Sequence, residues 1–211
     1  MKFFIVFAVI AVVFAEILQN ALCCRMLERG LDAKMKAKLV DLHNKARQKV
    51  ANGQQSGQPS ASNMKELHWD DEIAANAQRA AEKCVFQHTP SEQTVTRKYQ
   101  AVGENIYMGS YPNPLDSAVE MWFSEVKDVT PSLVQKFDFY GPAVIGHYTQ
   151  LVWAKTEAVG CGYIKSADGQ SYVFCQYAPA GNYQDEPVYE QGPPASACKS
   201  GKSSRYPGLC M

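Results

Sequence analysis

The sequence predicts an α+β layered domain, and three observations point to it. Apolar residues recur at helical spacing early in the chain, an antiparallel hairpin is signalled late, and seven cysteines offer covalent staples. At 211 residues the chain is long enough for one domain with its own core, with or without a tail. Lysine plus arginine (21) equals aspartate plus glutamate (21), which removes the electrostatic case for nucleic acid or an anionic membrane as partner.

The N-terminus comes first. Lys2 precedes the run "FFIVFAVIAVVFA", too short to span a bilayer and of the right length for a signal peptide. Val13 and Ala15 form a small-x-small end, so residues 1–15 are the expected signal peptide, with Ala21 as a later alternative end. Residues 16–34 then make an N-terminal arm carrying Cys23 and Cys24. No second long apolar run follows, so the expected protein is secreted and without a transmembrane segment. A monomer is the expected state.

From Leu31 to Val50, Met35, Leu39, Leu42, Ala46 and Val50 recur at helical spacing, and Gly53 supplies the stop. "NGQQSGQPSASN" is polar, rich in Gly and Ser, and reads as a surface loop. Asp70, Asp71 and Glu72 suit the positive end of a second helix through "IAANAQRAAEKC". Pro114 and Asp116 open a third, through about Lys127. An irregular stretch, "DVTPSLVQKFDFYGPAV", precedes strand-like segments near 147–153, 158–164 and 171–177. "APAGNY" and a Pro- and Gly-rich tail, 188–211, end the globular part.

Seven cysteines in an exported chain point to disulfides, and none shows the C-x-x-C spacing of a structural zinc site. Asp168-Gly169 is a hairpin signal between "GYI" and "SYVFC", which brings Cys161 and Cys175 together. Cys198 and Cys210 close a short C-terminal loop, leaving Cys23, Cys24 and Cys84 for one further bridge. No Asn-x-Ser/Thr acceptor for glycosylation occurs.

Four titratable residues stand beside turn signals or where apolar ones are expected. His88 lies in "CVFQHTP", where Pro90 stops the helix, and Glu104 lies in "VGENIY" before a strand-like "NIYM". Glu125 shares a helical stripe with Ala118, Met121, Trp122 and Val129. His147 heads the row His147, Thr149, Leu151, Trp153 on one face of the expected strand "GHYTQLVW". Each has a bland reading. A lone strand histidine is more often a hydrogen-bonded packing residue than a ligand, and a lone helix glutamate is more often partly solvated. The spacing matches no compact metal signature such as H-E-x-x-H, although imidazole and carboxylate together suit zinc. His43 and His68 read as structural or exposed, and no G-x-S-x-G elbow supports a serine hydrolase.

"GHYTQLVW", "VGCGY" and "FCQYAPAGNY", with "GENIYMG", "HNKAR" and "CVFQHT" in the expected order, resemble the signature segments of the CAP superfamily. That superfamily comprises cysteine-rich secretory proteins, antigen 5 and plant pathogenesis-related proteins. The resemblance covers roughly residues 35–187, and the arthropod venom-allergen-5 branch fits the loop before "LHWDDEIA" and the early "LCC". It implies a disulfide-stabilised three-layer α-β-α sandwich with a central antiparallel sheet. It also implies a large cleft lined by His88, Glu104, Glu125 and His147, and a bridge from Cys84 to Cys23 or Cys24. In some relatives such a cleft resembles a zinc site. No cofactor is required, and His88 and His147, with Glu104 and Glu125, are the candidate ligands of a divalent cation. A plant-type bridge beside the cleft is excluded because Ile145 stands at that position. Only Cys198 and Cys210 follow the domain, too few for the channel-blocking module of reptile venom relatives.

The expected function is therefore binding, with a sterol, a fatty acid, a divalent metal or a host protein as ligand. Residues 129–145, with Leu133, Val134, Phe137, Phe139 and Tyr140, are a candidate apolar flap by analogy; plain core packing is the competing reading. The alternative function is a zinc-assisted hydrolase or peptidase in which Glu104 or Glu125 acts as general base.

Overall fold

The structure, a computed structural model, describes residues 25–211. The expected signal segment, with both of its ends, and Cys23 and Cys24 lie outside the described residues. The elements run β1 (Met26–Arg29), α1 (Ala33–Ala51), β2 (His68–Trp69), α2 (Asp71–Ala81), β3 (Gly103–Gly109), α3 (Pro114–Ser124), α4 (Pro131–Gln135), α5 (Gly146–Leu151), β4 (Ala158–Ser166) and β5 (Ser171–Ala178).

Local chemistry sets the helix ends. Asp32 caps α1 by accepting the Met35 N–H, and Asp70 caps α2 by accepting those of Glu72 and Ile73. Asp71 and Glu72 occupy the first turn of α2, where a carboxylate meets the positive end of the helix. Pro114 opens α3, which ends at Ser124 and tightens into a 3-10 turn over Glu125–Asp128.

The sheet orders its strands β1-β4-β5-β3, all antiparallel, while β2 adds two residues parallel to β4. β4 and β5 form the expected hairpin, with Gly169 at φ +88 in the turn, a left-handed conformation that favours glycine. Cys161 and Cys175 stand directly opposite each other and are bridged. Cys198–Cys210 is bridged as expected. Cys84 is also disulfide-bonded, but its expected partners lie outside the described residues.

Strand alternation sorts the core into two layers. Ile106, Ile164, Tyr172 and Phe174 face α2, whose Ala77, Ala80 and Ala81 bring its backbone close. Gly160 and Gly162 complete that approach, since a Cβ on either would fall on the α2 backbone at Ala74 or Gln78. Tyr163, Val173, Cys175 and Tyr177 point the other way, into a larger core with Leu39 of α1 and Trp122 of α3. The three-layer sandwich follows from this division.

Three expectations need correction. Residues 147–153 are not a strand: α5 covers Gly146–Leu151, with Thr149 N–H donating to Ile145 O and Val152 N–H to Tyr148 O. The β-favouring residues Tyr148 and Thr149 are fully buried there, so tertiary packing outweighs propensity. The third long strand is instead β3, paired with β5 along its whole length. Second, the globular part does not end at 187. Val188, Tyr189, Tyr206 and Leu209 join the main core, and Cys210 N–H donates to Met64 O at 2.8 Å. Third, the flap is mixed: Val134 and Phe137 are buried, whereas Phe139 and Tyr140 are exposed.

Candidate functional site

Glu104 sits on β3 across from Gln176 of β5, on the same sheet face. Its side chain is nearly buried and accepts four hydrogen bonds. They come from Thr89 N–H (2.8 Å), Thr89 Oγ1 (2.8 Å), Gln176 Nε2 (2.8 Å) and His88 Nδ1 (3.2 Å). Burial pushes this carboxyl up, but the bonds from His88, Gln176 and Thr89 outweigh it and hold the group below its ordinary value. His88 itself is largely exposed at the end of the segment that follows α2.

The second pair is built the same way from other elements. Glu125, on the 3-10 turn after α3, receives His147 Nδ1 on Oε1 at 2.6 Å. Its Oε2 accepts the backbone N–H of His147 (2.9 Å) and of Tyr148 (3.0 Å), which holds the start of α5. The Trp122 indole lies nearly parallel to the His147 ring, 13° between planes. In both pairs Nδ1 is the nitrogen that donates to the carboxylate. In the neutral ring that arrangement makes Nε2 the acceptor nitrogen. Among the described residues neither Nε2 has a hydrogen-bond partner.

A buried relay supports His147 from beneath, and sequence reasoning missed it. Asn105 Nδ2 donates to His147 O (3.0 Å) and to Tyr177 Oη (3.3 Å). Tyr177 Oη meets His43 Nε2 at 2.8 Å, and His43 Nδ1–H donates to Leu39 O at 2.7 Å. Burial lowers His43 to about 4, with a small contribution from Arg47, so it is neutral and accepts the phenol proton. His43 was expected to be structural or exposed, and it is fully buried; His68 is exposed. The available signal was the alternation of β3, which puts Asn105 on the opposite face from Glu104.

Between the pairs lies a cleft of about 500 Å³. His88, Glu104, Asn105, His147 and Asn182 supply its polar lining. Phe137, Phe139, Pro142, Val144 and Ile145 of the segment before α5 supply an apolar wall. The structure thus brings His88, Glu104 and His147 to one cleft, with Glu125 directly behind His147. Among the described residues, no three His, Cys, Asp or Glu side chains converge on one point. No helix of the described residues is long and apolar enough to cross a membrane.

An α-β-α sandwich with two carboxylate-held histidines across such a cleft defines a CAP-type domain. The chain belongs to the cysteine-rich secretory protein (CAP) family, which it matches over residues 40–177. It is 63% identical to Scoloptoxin SSD976 of Scolopendra dehaani over 195 residues, 92% of each chain. It is 60% identical to Scoloptoxin SSD43 of the same organism over 208 residues, 98% of this chain and 99% of that one. Venom allergen 5.02 of Dolichovespula maculata is 40% identical over 174 residues, 77% of this chain and 79% of the relative. Among solved structures, the crystal structure of NaASP2 with Zn2+ superposes with a TM-score of 0.74 at 32% identity, covering 86% of this chain and 97% of that one. The protein is therefore a CAP-domain relative of scoloptoxins and venom allergen 5, and its disulfides fit an oxidising, extracellular setting.

Proposed function

We propose that this is a secreted venom protein that acts by binding, and that its cleft takes an amphipathic small molecule such as a sterol or fatty acid. The observation that carries this reading is the division of the cleft into an apolar wall and a polar floor. Such a lining buries a hydrocarbon body while orienting a hydroxyl or carboxylate head against His88 and His147. The relatives' names, scoloptoxin and venom allergen, support the venom setting, and the "FFIVFAVIAVVFA" run supports export. Organic extraction of the native protein should release such a molecule, and a fluorescent sterol or fatty-acid analogue should be taken up. A protein that yields no lipid and takes up neither analogue overturns the reading.

A divalent cation is the second reading, favoured by the two acceptor Nε2 atoms. A histidine whose other nitrogen donates to a carboxylate is oriented as metal-binding histidines are. His88 and His147 line the same cleft, and a cation held by them would take its remaining positions from water or the cleft ligand. A cation there would supply a positive charge for an anionic head group. NaASP2, whose crystal structure is with Zn2+, shares the fold at 32% identity. Zinc titration should reach one equivalent in the intact protein and fail in His147→Ala.

The hydrolase reading asks more of the carboxylates than their bonding supports. Glu104 accepts four hydrogen bonds and Glu125 three, so both are occupied in holding histidines rather than free to take a proton.

A further inference from the structure

The turn beside the cleft keeps three apolar side chains exposed, of which Phe139 and Val144 also line the cleft and Tyr140 does not. Phe139 is 63% exposed, Tyr140 84% and Val144 72%, and all three lie within one short turn. Single exposed apolar residues need no explanation, but a contiguous set on a protruding turn does. Two hydrogen bonds fix the start of the turn. Phe139 N–H donates to Gln184 Oε1 at 2.9 Å and Tyr140 N–H to Asp138 Oδ1 at 3.1 Å. The Phe137 ring, itself buried, meets Phe139 edge-on, which anchors the base of the turn to the core. Side chains presented on a pinned backbone lose little conformational freedom when they are covered.

We propose that this turn inserts into the interface of a zwitterionic lipid bilayer and seats the mouth of the cleft on the membrane surface. Charge selects that occupant. No charged residue occurs between Phe139 and Ile145, and the formal net charge of the whole chain is zero. The lysines beside the turn are already paired, Lys136 with Asp185 at 3.2 Å and Lys155 with Glu186 at 2.7 Å. Among the described residues the one charge beside the turn with no ion-pair partner is Asp138, whose carboxylate accepts from Tyr140 N–H and Gln184 Nε2 and would repel an anionic surface. Tyrosine and phenylalanine with an aliphatic neighbour suit the boundary between head groups and acyl chains.

The surface stands on the exposed turn, whereas the proposed cleft ligand stands on the lining, and Tyr140 separates the two because it does not line the cleft. The test is co-sedimentation of the full-length secreted protein with phosphatidylcholine vesicles, alongside Tyr140→Asp. The wild type should partition onto the vesicles equally at low and high salt, and Tyr140→Asp should weaken partitioning at least tenfold. Uptake of the fluorescent analogue in vesicle-free buffer should be the same for both proteins. Brominated lipid should quench the added emission of Tyr140→Trp. Absence of wild-type partitioning, an equal response of Tyr140→Asp, or binding only to anionic vesicles at low salt would each overturn the proposal. So would concentration-dependent dimerisation that Tyr140→Asp abolishes, because a second copy would then cover the turn.

Discussion

Glu125 holds His147 at two points: its Oε1 takes the imidazole Nδ1 at 2.6 Å and its Oε2 takes the same residue's backbone N–H at 2.9 Å. One carboxylate thereby fixes both the ring and the start of the helix that carries it. Replacing Glu125 with Gln keeps the size but puts an amide donor where an acceptor is needed. The expected loss is about 1–3 kcal/mol of stability, with weaker uptake of the cleft ligand, read by urea unfolding and fluorescent titration. A variant as stable as wild type would mean the grip on α5 is dispensable.

Glu104 and Glu125 share no hydrogen-bond partner. Their Gln substitutions should therefore add within about 0.5 kcal/mol in the double variant. Strong non-additivity in the unfolding free energies would show that the pairs are coupled through the cleft.

The α2 layer rests on Gly162, where a Cβ would overlap the Gln78 backbone. Gly162→Val must push the helix off the sheet and should cost at least about 3 kcal/mol, at the upper end of overpacking effects. Thermal unfolding checks this, and Gly169→Ala in the hairpin turn serves as a milder control, strained only by its φ of +88.

His43 makes a prediction about pH. Its value falls from 6.5 to about 4 on folding, chiefly through burial. The unfolded chain binds more protons in that window, so the stabilisation is present above 6.5 and is lost as pH falls toward 4. Between roughly pH 7 and pH 5 the loss should be about 2 kcal/mol. His43→Gln should be less stable at neutral pH and show a flatter dependence over the same range. Urea midpoints at several pH values provide the measurement, and an equal slope for the two proteins would exclude His43 as the source.

Arg47 is fully buried, and its guanidinium donates to four backbone carbonyls, those of Lys65, Leu151, Trp153 and Thr156. Burial lowers it to about 9, which still leaves it charged at neutral pH. Arg47→Met removes the donors and strands those carbonyls, so a loss of at least about 3 kcal/mol is expected in denaturant unfolding. A loss below about 1 kcal/mol would mean that water replaces the guanidinium.

The sequence was legible where one local signal decides the outcome. Asp168-Gly169 located the β4–β5 hairpin and hence the Cys161–Cys175 bridge, and the acids at 70–72 located the start of α2. The tetrad residues were visible as chemically odd neighbours of turns, but only the family resemblance suggested that they meet. "GHYTQLVW" failed because its propensity is extended while its environment is not. Glu125, distant in sequence, supplies acceptors for two of its N–H groups, and the core buries the rest. The Asn105–Tyr177–His43 relay was hidden for the same reason, since it joins three elements and has no local pattern.

The two histidine–glutamate pairs are built from separate parts, one from the segment after α2 and strand β3, the other from the turn after α3 and helix α5. Each glutamate anchors backbone as well as imidazole, so each pair is a local fastener before it is half of a cleft. Inheritance can therefore act on the halves separately. A descendant that lost one imidazole would keep its scaffold, with the opposite corner ready for a different occupant, and duplicated copies of such a gene could diverge in ligand without first passing through an unfolded intermediate.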